Sequence, residues 1–426
     1  MSMKIYCSGI GGIGLSAYAM HMLLRGHSVS GSDRTDSALL RDLEKSGVHI
    51  TTHQDGTGIT DDIDLLVYSE AIPIDAPERM AAEKKGIRQM SYFHALGELT
   101  AGKPLIAVCG THGKSSTVSM AALVLEQSGL DPNVIVGTKV PQLQQRNWRK
   151  GAEQLWLVEA CEYRRSFLSL SPTMIVLTNA DGDHFDAFKD ASEYEDAFVA
   201  FLSLLPPNGV VIAHGDDEQS MRIVRRSGKR CINADEQPLL DLNIPGLHMK
   251  KNAQLVQALA QHLALPSEAS MRSLQAYEGS WRRMEVKGTK NGITVIDDYA
   301  HHPTEIRATL SALRTQYPKR RMICVFQPHT HDRTLKLWKE FASAFAAADR
   351  VIVTSIYDAR PDTETKRADE TLFAHAIEQQ SKRPTTFAGN LLETQHLLQS
   401  TILKEGDVVV VMGAGDITTL AERLLA

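Results

Sequence analysis

The chain has 426 residues, too many for a single hydrophobic core, and this length predicts about three domains. Apolar residues make up 43% and charged residues 23%, which is typical of a globular enzyme, and the net charge of -5 argues against a nucleic-acid partner. No apolar run reaches membrane-spanning length and the chain begins with a strand pattern, so a cytoplasmic protein without a membrane partner is expected. Five scattered cysteines predict reduced core thiols rather than disulfides or a zinc ribbon.

The first segment begins with a predicted strand, a glycine turn and a helix. The strand covers Lys4–Ser8, the turn covers 9–14, and a second strand over Ser28–Ser32 leads into Asp33. Dinucleotide-binding folds place an acidic residue here, against a ribose hydroxyl. Tight packing of a helix on a strand also favours glycine, so the turn by itself leaves a structural role open. The strand and the acid together predict a Rossmann-like nucleotide-binding domain over 1–100.

The second segment, 101–280, contains the pattern of a phosphate-binding loop between a buried strand predicted over 104–109 and a helix predicted over 115–127. Its residues are Gly110, Thr111, His112, Gly113, Lys114, Ser115 and Ser116. The glycines let successive N–H groups point at phosphate oxygens, aided by the helix N-terminus. Lys114 is placed to reach the β- and γ-phosphates, and Ser115 to bind Mg²⁺. The alternative is a glycine-rich turn without a ligand.

Polar residues follow two further strands of this segment, predicted over 154–160 and 174–178. They are Glu159, Glu162, Asn179, Asp183, His184 and Asp186. Ligands of open α/β sheets bind at the carboxyl ends of the strands. A carboxylate beside a phosphate loop is the usual second anchor for Mg²⁺, so Glu159 is predicted as a metal ligand and His184 as a candidate one. Asp183 and Asp186 have an alternative role as caps of the next helix.

The third segment, 281–426, alternates strands and helices again. Strands are predicted over 294–296, 322–326, 351–353 and 407–412, and helices over 305–313 and 335–347. The strand ends carry the polar runs 297–303, 327–333 and 413–416. The whole chain is therefore predicted to be α/β, with three domains.

Seven motifs, in this order along the chain, resemble those of the Mur ligases. They are Gly-Thr-His-Gly-Lys-Ser-Ser from Gly110, Glu-Ala-Cys-Glu-Tyr from Glu159, Thr-Asn-x₃-Asp-His from Thr178, Arg-Arg-x-Glu from Arg282, Asp-Asp-Tyr-Ala-His-His-Pro-Thr-Glu from Asp297, Gln-Pro-His from Gln327 and Gly-Ala-Gly-Asp-Ile from Gly413. The run from Tyr299 is most similar to the branch that adds L-alanine to UDP-N-acetylmuramate. The branch that recycles a murein tripeptide shares that run and is the alternative.

This resemblance implies an ATP-dependent ligase with a Rossmann-like N-terminal domain, a central P-loop domain and a Rossmann-like C-terminal domain. The ligase would first phosphorylate the lactyl carboxylate of UDP-N-acetylmuramate, and the amine of L-alanine would then attack the acyl phosphate. The resemblance leaves both a monomer and a homodimer open.

The resemblance also implies a role for each site residue. The UDP-sugar would be held by Gly11, Gly12, Ile13, Gly14, Asp33 and Ser69. The ATP contacts would be the phosphate loop, Asn252, Arg283 and Asp297, with Ser115 and Glu159 on one Mg²⁺ and His184 on a second. Tyr299, His302 and Arg333 would line the amino-acid pocket, and the catalytic set would be Lys114, His184, His302 and Arg333.

Three departures from the family pattern stand out. Met249 replaces a usual asparagine, so Asn252 is the amide left for adenine. Thr330 stands where a basic residue is usual, which leaves Arg333 as the guanidinium. The stretch between Asp216 and Pro245 is shorter than expected, which suggests a trimmed β-rich portion of the central domain.

Three other functions fit parts of the sequence less well than the ligase. An NAD-dependent oxidoreductase would explain the first glycine turn but neither Lys114 nor the third segment. A nucleotide-gated scaffold would have lost Glu159, His184 or His302, and all are present. A transition-metal site would use the histidines 184, 301, 302, 329 and 331, but their spacing matches no known metal signature.

Overall fold

The computed structural model describes residues 2–152, 154–182, 187–358 and 366–426. These form two compact units. One holds Met1–Asp181, Glu195–Pro238 and Gln254–Leu274, and the other holds Gly182–Tyr194, Leu239–Ala253 and Gln275–Ala426. His184, Asp183 and Asp186 lie outside the described residues, so their predicted roles stay predictions. The boundaries near residues 100 and 280 also stay proposals.

The N-terminal sheet has five parallel strands in the order β3-β2-β1-β4-β5. Its elements are β1 (Lys4–Ser8), α1 (Ile13–Leu24), β2 (Ser28–Ser32), α2 (Ala38–Lys45), β3 (His49–Thr51), β4 (Leu65–Tyr68), α3 (Pro77–Lys84), β5 (Arg88–Ser91) and α4 (Tyr92–Thr100). The chain builds outward from β1 on one side and then returns to its other side with β4. The loop after β1 therefore lies at a topological switch point, where open α/β sheets bind ligands.

The central sheet has seven strands in the order β12-β11-β10-β6-β9-β7-β8. Its elements are β6 (Leu105–Cys109), α5 (Lys114–Gln127), β7 (Asn133–Val140), β8 (Arg146–Arg149), β9 (Trp156–Glu159), β10 (Met174–Leu177), α6 (Ala191–Ser203), β11 (Val210–Ala213), α7 (Glu218–Ser227), β12 (Arg230–Asn233), α8 (Leu247–His262) and α9 (Ser267–Gln275). All pairs are parallel except the β7–β8 hairpin. The phosphate loop follows β6, between the ends of β9 and β10, which is again a switch point.

The C-terminal sheet has six strands in the order β13-β14-β18-β15-β16-β17, and only β13 is antiparallel to its neighbour. Its elements are β13 (Glu285–Lys290), β14 (Ile293–Asp298), α10 (Pro303–Gln316), β15 (Met322–Phe326), α11 (His331–Lys336), α12 (Trp338–Ala342), β16 (Arg350–Val353), α13 (Glu370–Ser381), β17 (Thr385–Phe387), α14 (Leu391–Leu397), β18 (Val408–Met412) and α15 (Thr418–Leu425).

Strand β18 has four consecutive valines, and both of its faces are buried. Val408, Val410 and Met412 pack into one apolar cluster with residues of α10, α12 and α13. Val409 and Val411 pack into a second cluster with residues of α15. A parallel strand covered by helices on both faces needs apolar side chains at consecutive positions, so the alternation usual in half-exposed strands is absent.

Most predicted elements are confirmed, including the strands before both glycine loops and the helix after the phosphate loop. The single helix predicted over 335–347 is wrong. Helix α11 ends at Lys336, and Leu337 has φ -106° and ψ 24°, outside the helical region. This break directs Trp338 and Phe341 onto Phe373, with ring centroids 5.0 and 5.9 Å away. Tertiary packing therefore overrides the helical periodicity.

The five cysteines are free, as predicted, with three of them buried and two half-buried. Within the described part of the chain, every helix is too short or too polar to cross a membrane.

Candidate functional site

The glycine turn after β1 is bound to Asp33. The N–H of Gly11 donates to Asp33 Oδ2 over 2.8 Å, and a Cβ at Gly11 would lie 2.7 Å from the same oxygen. The expectation placed this carboxylate against a ribose hydroxyl, but here one of its oxygens shapes the turn. Ser69 lies beside the same turn, because a Cβ at Gly9 would approach its Cβ to 3.0 Å.

The first turn of α1 is closely packed on both sides. Gly12 precedes it with extended dihedrals, φ -62° and ψ 136°, and a Cβ at Gly14 would come within 2.7 Å of the Tyr92 ring. From the central sheet, Asn147 Nδ2 donates to the carbonyl of Ile13 and, over 3.0 Å, to Ser16 Oγ. The sequence predicted no role for Asn147, because no local pattern links it to Ser16, which lies 131 positions earlier in the chain.

A cavity of about 490 Å³ lies in the N-terminal domain. Its lining follows the carboxyl ends of β2, β3 and β4 and comprises Arg34, Thr52, His53, Gln54, Asp55, Ile72, Pro73, Ala76, Pro77 and Glu78. Glu78 is buried and accepts hydrogen bonds from the hydroxyl of Tyr6, over 2.7 Å, and from Ser8 Oγ. The cavity was not predicted, because its walls come from loops without a recognisable motif.

The phosphate loop has a backbone that requires glycine at two positions. Gly110 has φ 134° and Gly113 has φ 79°, and a Cβ at Gly110 would lie only 2.1 Å from Thr178 Oγ1. Helix α5 begins directly after Gly113. Its first amide groups have no intrahelical acceptor and carry the partial positive charge of the helix N-terminus, which suits a bound anion.

Thr178 and Asn179, at the end of β10, bind this loop. Thr178 Oγ1 donates to the carbonyl of His112 over 2.6 Å. The amides of Thr111 and His112 donate to the carbonyl and the Oδ1 of Asn179, over 3.2 and 2.9 Å. The expectation that successive loop amides face phosphate is therefore corrected for these two amides, which are engaged by Asn179.

Lys114 is held close to its own loop. Its Nζ donates to the carbonyl of Gly110, to that of Thr111 over 3.1 Å, and to the carboxylate of Glu162, whose oxygens lie 3.0 and 2.9 Å away. Burial of Lys114 opposes its charged form, but the carboxylate of Glu162 stabilises that form and the pKa of Lys114 rises above its usual value. The ammonium is therefore positively charged at neutral pH. This pairing with Glu162 was not predicted.

Glu159 ends β9 beside the neighbouring strand β7. Its Oε2 accepts the N–H of Gly137 over 2.8 Å, and a Cβ at Gly137 would lie 2.7 Å from its Oε1. Glycine at 137 thus makes room for the carboxylate, and this residue was missed by sequence reasoning. In the phosphate loop, Ser115 is buried at the start of α5, and His112 Nε2 lies 3.3 Å from an oxygen of Asp181.

Three motifs of the C-terminal sheet meet at the ends of β14, β15 and β18. Gln327 Nε2 donates to Asp416 Oδ1 over 2.8 Å, and its Oε1 accepts the N–H of Ile417 over 3.2 Å. Asp297, at the end of β14, accepts a hydrogen bond from the hydroxyl of Thr418 over 2.6 Å. Strand order, rather than sequence proximity, brings these motifs together.

Asp297 pairs with Arg282, which was not among the predicted site residues, and the predicted nucleotide contact of Arg283 stays a prediction. Arg282 Nε lies 3.4 Å from Asp297 Oδ2, and its guanidinium also donates to the carbonyls of Gly413 and, over 3.2 Å, Gly415. Arg282 adopts φ 56°, in the left-handed region. The Cζ atoms of Arg282 and Arg283 lie 5.0 and 5.1 Å from the Tyr299 ring centroid.

Asp298 is buried and accepts the N–H groups of Met284, over 2.7 Å, and of Ala300, over 2.8 Å. Burial raises the pKa of Asp298 to about 6, against the opposing effect of the positive charge of Arg283. Burial also raises the pKa of Asp297.

A row of rings connects two residues of the predicted amino-acid pocket. The Tyr299 ring lies 5.3 Å from that of His301, which lies 6.0 Å from that of His329. His329 Nδ1 is 3.2 Å from Arg333 Nη1, and Arg333 is 8% exposed. Tyr299 and Arg333 therefore stand at the two ends of this row.

His302, predicted as catalytic and as a substrate contact, caps helix α10. Its Nδ1 accepts the N–H of Thr304 over 3.3 Å, and the Glu305 carboxylate accepts the N–H groups of His301 and His302 over 3.0 and 3.3 Å. The Nδ1 of His331 accepts the N–H of Ala368 over 3.1 Å. These contacts give one ring nitrogen of His302 and one of His331 a structural role.

The helix predicted to touch adenine is α8. Asn252 is buried, and Met249, in place of the usual asparagine, is a core residue at 2% exposure. His248, one position earlier, has its pKa lowered to about 4 by burial, with Arg283 acting in the same direction and Glu305 against it. His248 is therefore neutral at physiological pH.

Family models match the chain in three stretches. The Mur ligase family catalytic domain matches residues 4–104, the Mur ligase middle domain matches 108–259, and the Mur ligase glutamate ligase domain matches 282–415.

Relatives match over their whole length. A UDP-N-acetylmuramate--L-alanine ligase of Clostridium acetobutylicum is 34% identical over 457 residues, covering 100% of this chain and 98% of the relative. One of Lachnospira eligens is 37% identical over 453 residues, covering 99% and 97%.

Solved structures match the whole chain as well. The UDP-N-acetylmuramate-alanine ligase of Thermotoga maritima superposes with a TM-score of 0.83 at 27% identity, covering 99% of this chain and 98% of that one. A murein peptide ligase of Psychrobacter arcticus gives 0.75 at 23% identity, covering 100% and 98%, and supports the fold alone.

Proposed function

The chain belongs to the Mur ligase family, and on this premise we propose that it joins L-alanine to UDP-N-acetylmuramate at the expense of ATP. The observation that carries the proposal is the full-length identity of 34–37% to ligases of that name, which covers all three sheets. This similarity favours alanine ligation over both the tripeptide ligase and the NAD-dependent oxidoreductase.

The chemistry explains why a phosphate loop is needed. A carboxylate is a poor electrophile, so its oxygen first takes the γ-phosphoryl group of ATP, which gives an acyl phosphate and ADP. The amine of L-alanine then attacks the acyl carbon, phosphate leaves, and the amine loses a proton. Negative charge develops on oxygens in both steps, and positively charged or N–H groups stabilise it by a few kcal/mol each. Lys114 and the amides from Gly113 onward supply such groups.

The residues near this loop fit a magnesium ion. Ser115 offers a hydroxyl at the start of α5, and Glu159 offers a carboxylate for which Gly137 leaves space. Mg²⁺ prefers oxygen ligands of this kind and keeps several waters. When bound, Mg²⁺ would neutralise charge on the phosphate oxygens. His184 as the ligand of a second ion stays a proposal.

The UDP-sugar is proposed to bind at the switch point of the N-terminal sheet. Its diphosphate would lie on the turn formed by Gly11, Gly12, Ile13 and Gly14, beside Ser69. The nearby cavity of about 490 Å³ lies in the same domain and has room for the nucleoside part, with Arg34 and Gln54 in its wall. Asp33 would act mainly by holding the turn.

The carboxylate of L-alanine is proposed to bind Arg333. A guanidinium forms two parallel hydrogen bonds with a carboxylate, and its partner His329 fixes its direction. Tyr299, at the other end of the ring row, would close the pocket. His302 is proposed to contribute by starting α10 at the correct place rather than by touching the substrate.

A release assay tests the proposed function. ADP and phosphate are measured with UDP-N-acetylmuramate and a panel of L-alanine, L-serine, glycine and the tripeptide L-Ala-γ-D-Glu-diaminopimelate. Release that depends on L-alanine is expected. A preference for the tripeptide would move the chain to the recycling branch, and release that no amine stimulates would contradict ligation.

A further inference from the structure

Every proton of the Lys114 ammonium has an acceptor in the protein. An ammonium has three N–H donors. The carbonyls of Gly110 and Thr111 take two, and the carboxylate of Glu162 takes the third. A phosphate oxygen that binds Lys114 must therefore replace one of these three acceptors.

The carboxylate of Glu162 lies in a buried and constrained part of the chain. Its side chain is only 1% exposed. It precedes a turn in which Arg164 and Arg165 both have positive φ, 51° and 59°, a costly backbone for residues other than glycine. Phe167 holds the far side of this turn by stacking on Phe201, with ring centroids 4.3 Å apart. Such strain persists only where the surrounding structure enforces one conformation.

The acceptor whose loss costs the least free energy is a carbonyl. All three hydrogen bonds of the ammonium are charge-assisted, but only the one to Glu162 also joins two opposite charges at close range. Loss of Lys114 would leave the buried charge of Glu162 without this counter-ion, which is far more costly than leaving a loop carbonyl for water. A phosphate oxygen of a bound nucleotide should therefore replace the carbonyl of Gly110 or Thr111 as an acceptor of Lys114, and not the carboxylate of Glu162.

We propose that Glu162 is the positioning residue of Lys114: it keeps its bond to the ammonium when nucleotide binds, and so presents a fixed donor to the phosphoryl group being transferred. The expected change in kcat rests on the proposed function. The expected contact between Lys114 and Glu162 in a nucleotide complex depends on nucleotide binding alone.

The first test is a structure of the wild-type protein with Mg²⁺ and ADP or a non-hydrolysable ATP analogue. Lys114 Nζ is expected within about 3.5 Å of both Glu162 and a phosphate oxygen. A bound nucleotide whose phosphate holds Lys114 away from Glu162 would overturn the proposal. This test is independent of whether the chain ligates L-alanine.

The second test separates kcat from nucleotide affinity in Glu162→Gln. Because the variant loses a negative charge near the phosphates, its Kd for ADP should stay within about threefold of wild type or become tighter, whereas kcat should fall at least about tenfold because the ammonium is held less firmly. Glu162→Asp keeps the charge but shortens the side chain. It should lower kcat without tightening ADP.

Glu195→Gln is the matched control. Glu195 is also a buried carboxylate of the same unit, paired with Arg222, and it is remote in role from the phosphate loop. It should lower the melting temperature while leaving kcat and Kd within about twofold. An unchanged or raised kcat in Glu162→Gln, or a fall in kcat accompanied by weaker ADP binding, would overturn the positioning role. Absence of turnover in the wild type would instead count against the proposed function, while the nucleotide complex still decides the role of Glu162.

Discussion

The carboxylate of Asp33 accepts a hydrogen bond from the amide of Gly11 over 2.8 Å, and this contact ties the end of β2 to the glycine turn after β1. The turn is where the UDP-sugar diphosphate is proposed to bind. Asp33, which was expected to bind a ribose hydroxyl, therefore also holds the turn in shape before any ligand binds.

Removal of this contact should weaken UDP-sugar binding. A hydrogen bond to a charged acceptor is worth about 1.5–3 kcal/mol, so Asp33→Ala should raise the Kd for UDP-N-acetylmuramate about tenfold or more in calorimetry. Asp33→Asn keeps an acceptor for Gly11 and should cost less. Asp36→Ala, which removes an exposed partner of Arg41, is the control and should have no effect. Equal losses of affinity in Asp33→Ala and Asp33→Asn would indicate that the charge of Asp33, rather than its hydrogen bond to Gly11, supports UDP-sugar binding.

Lys114→Ala should abolish ADP formation, because the transferred phosphoryl group loses its charged donor. The structure adds a stability effect, since the buried Glu162 loses the opposite charge of Lys114, and breaking a buried ion pair costs about 3–5 kcal/mol. Thermal unfolding should therefore show a lower midpoint for Lys114→Ala than for the double variant Lys114→Ala/Glu162→Gln. Turnover within about tenfold of wild type would refute the phosphate-loop assignment.

Glu159→Gln should shift the Mg²⁺ titration of ADP formation to higher concentration, because a hard cation loses an anionic ligand. The amide oxygen of glutamine still accepts the N–H of Gly137, so the fold should be preserved. Glu126→Gln, which alters a more exposed ion pair with Arg149 in the same unit, should leave the titration unchanged. A titration that does not move in Glu159→Gln would assign Glu159 to structure alone.

Asp298 should make stability depend on pH. Because the pKa of Asp298 is raised from 3.8 to about 6, the folded state keeps its proton while the unfolded state has lost it, and stability is lost as pH rises through that window. Asparagine does not titrate. The free energy of unfolding of wild type relative to Asp298→Asn should therefore fall between pH 4 and 7, by about 3 kcal/mol at most. Asp36→Asn, measured in the same way, gives the pH dependence expected for an exposed carboxylate. A difference in unfolding free energy between wild type and Asp298→Asn that does not change with pH would contradict the raised pKa of Asp298.

Arg333→Lys should raise the KM for L-alanine at least about tenfold while the KM for ATP changes little, because lysine cannot reproduce the two parallel hydrogen bonds of a guanidinium. Initial rates at varied L-alanine and varied ATP measure both constants. Arg307→Lys, on α10 of the same unit, is the matched control. Equal effects on the two KM values would show that Arg333 supports the fold rather than the amino acid.

Local patterns were enough to predict the parts of this protein that depend on near neighbours. The strand predicted over 104–109, the glycines at 110 and 113 and the helix predicted over 115–127 follow from burial, backbone freedom and helical periodicity within a short stretch. The α/β class follows in the same way, and the seven motifs identified the family.

Contacts across the sheets were decided by the tertiary structure alone. Lys114 meets Glu162 because β6 and β9 are neighbours, and Asp297 pairs with Arg282, whose own φ of 56° turns the chain at that point. Asn147 reaches Ser16 across 131 positions of sequence. Such contacts depend on strand order and on single backbone dihedrals, which the pattern of residue types does not encode, because parallel strands pair through long crossovers whose ends carry no mutual signal.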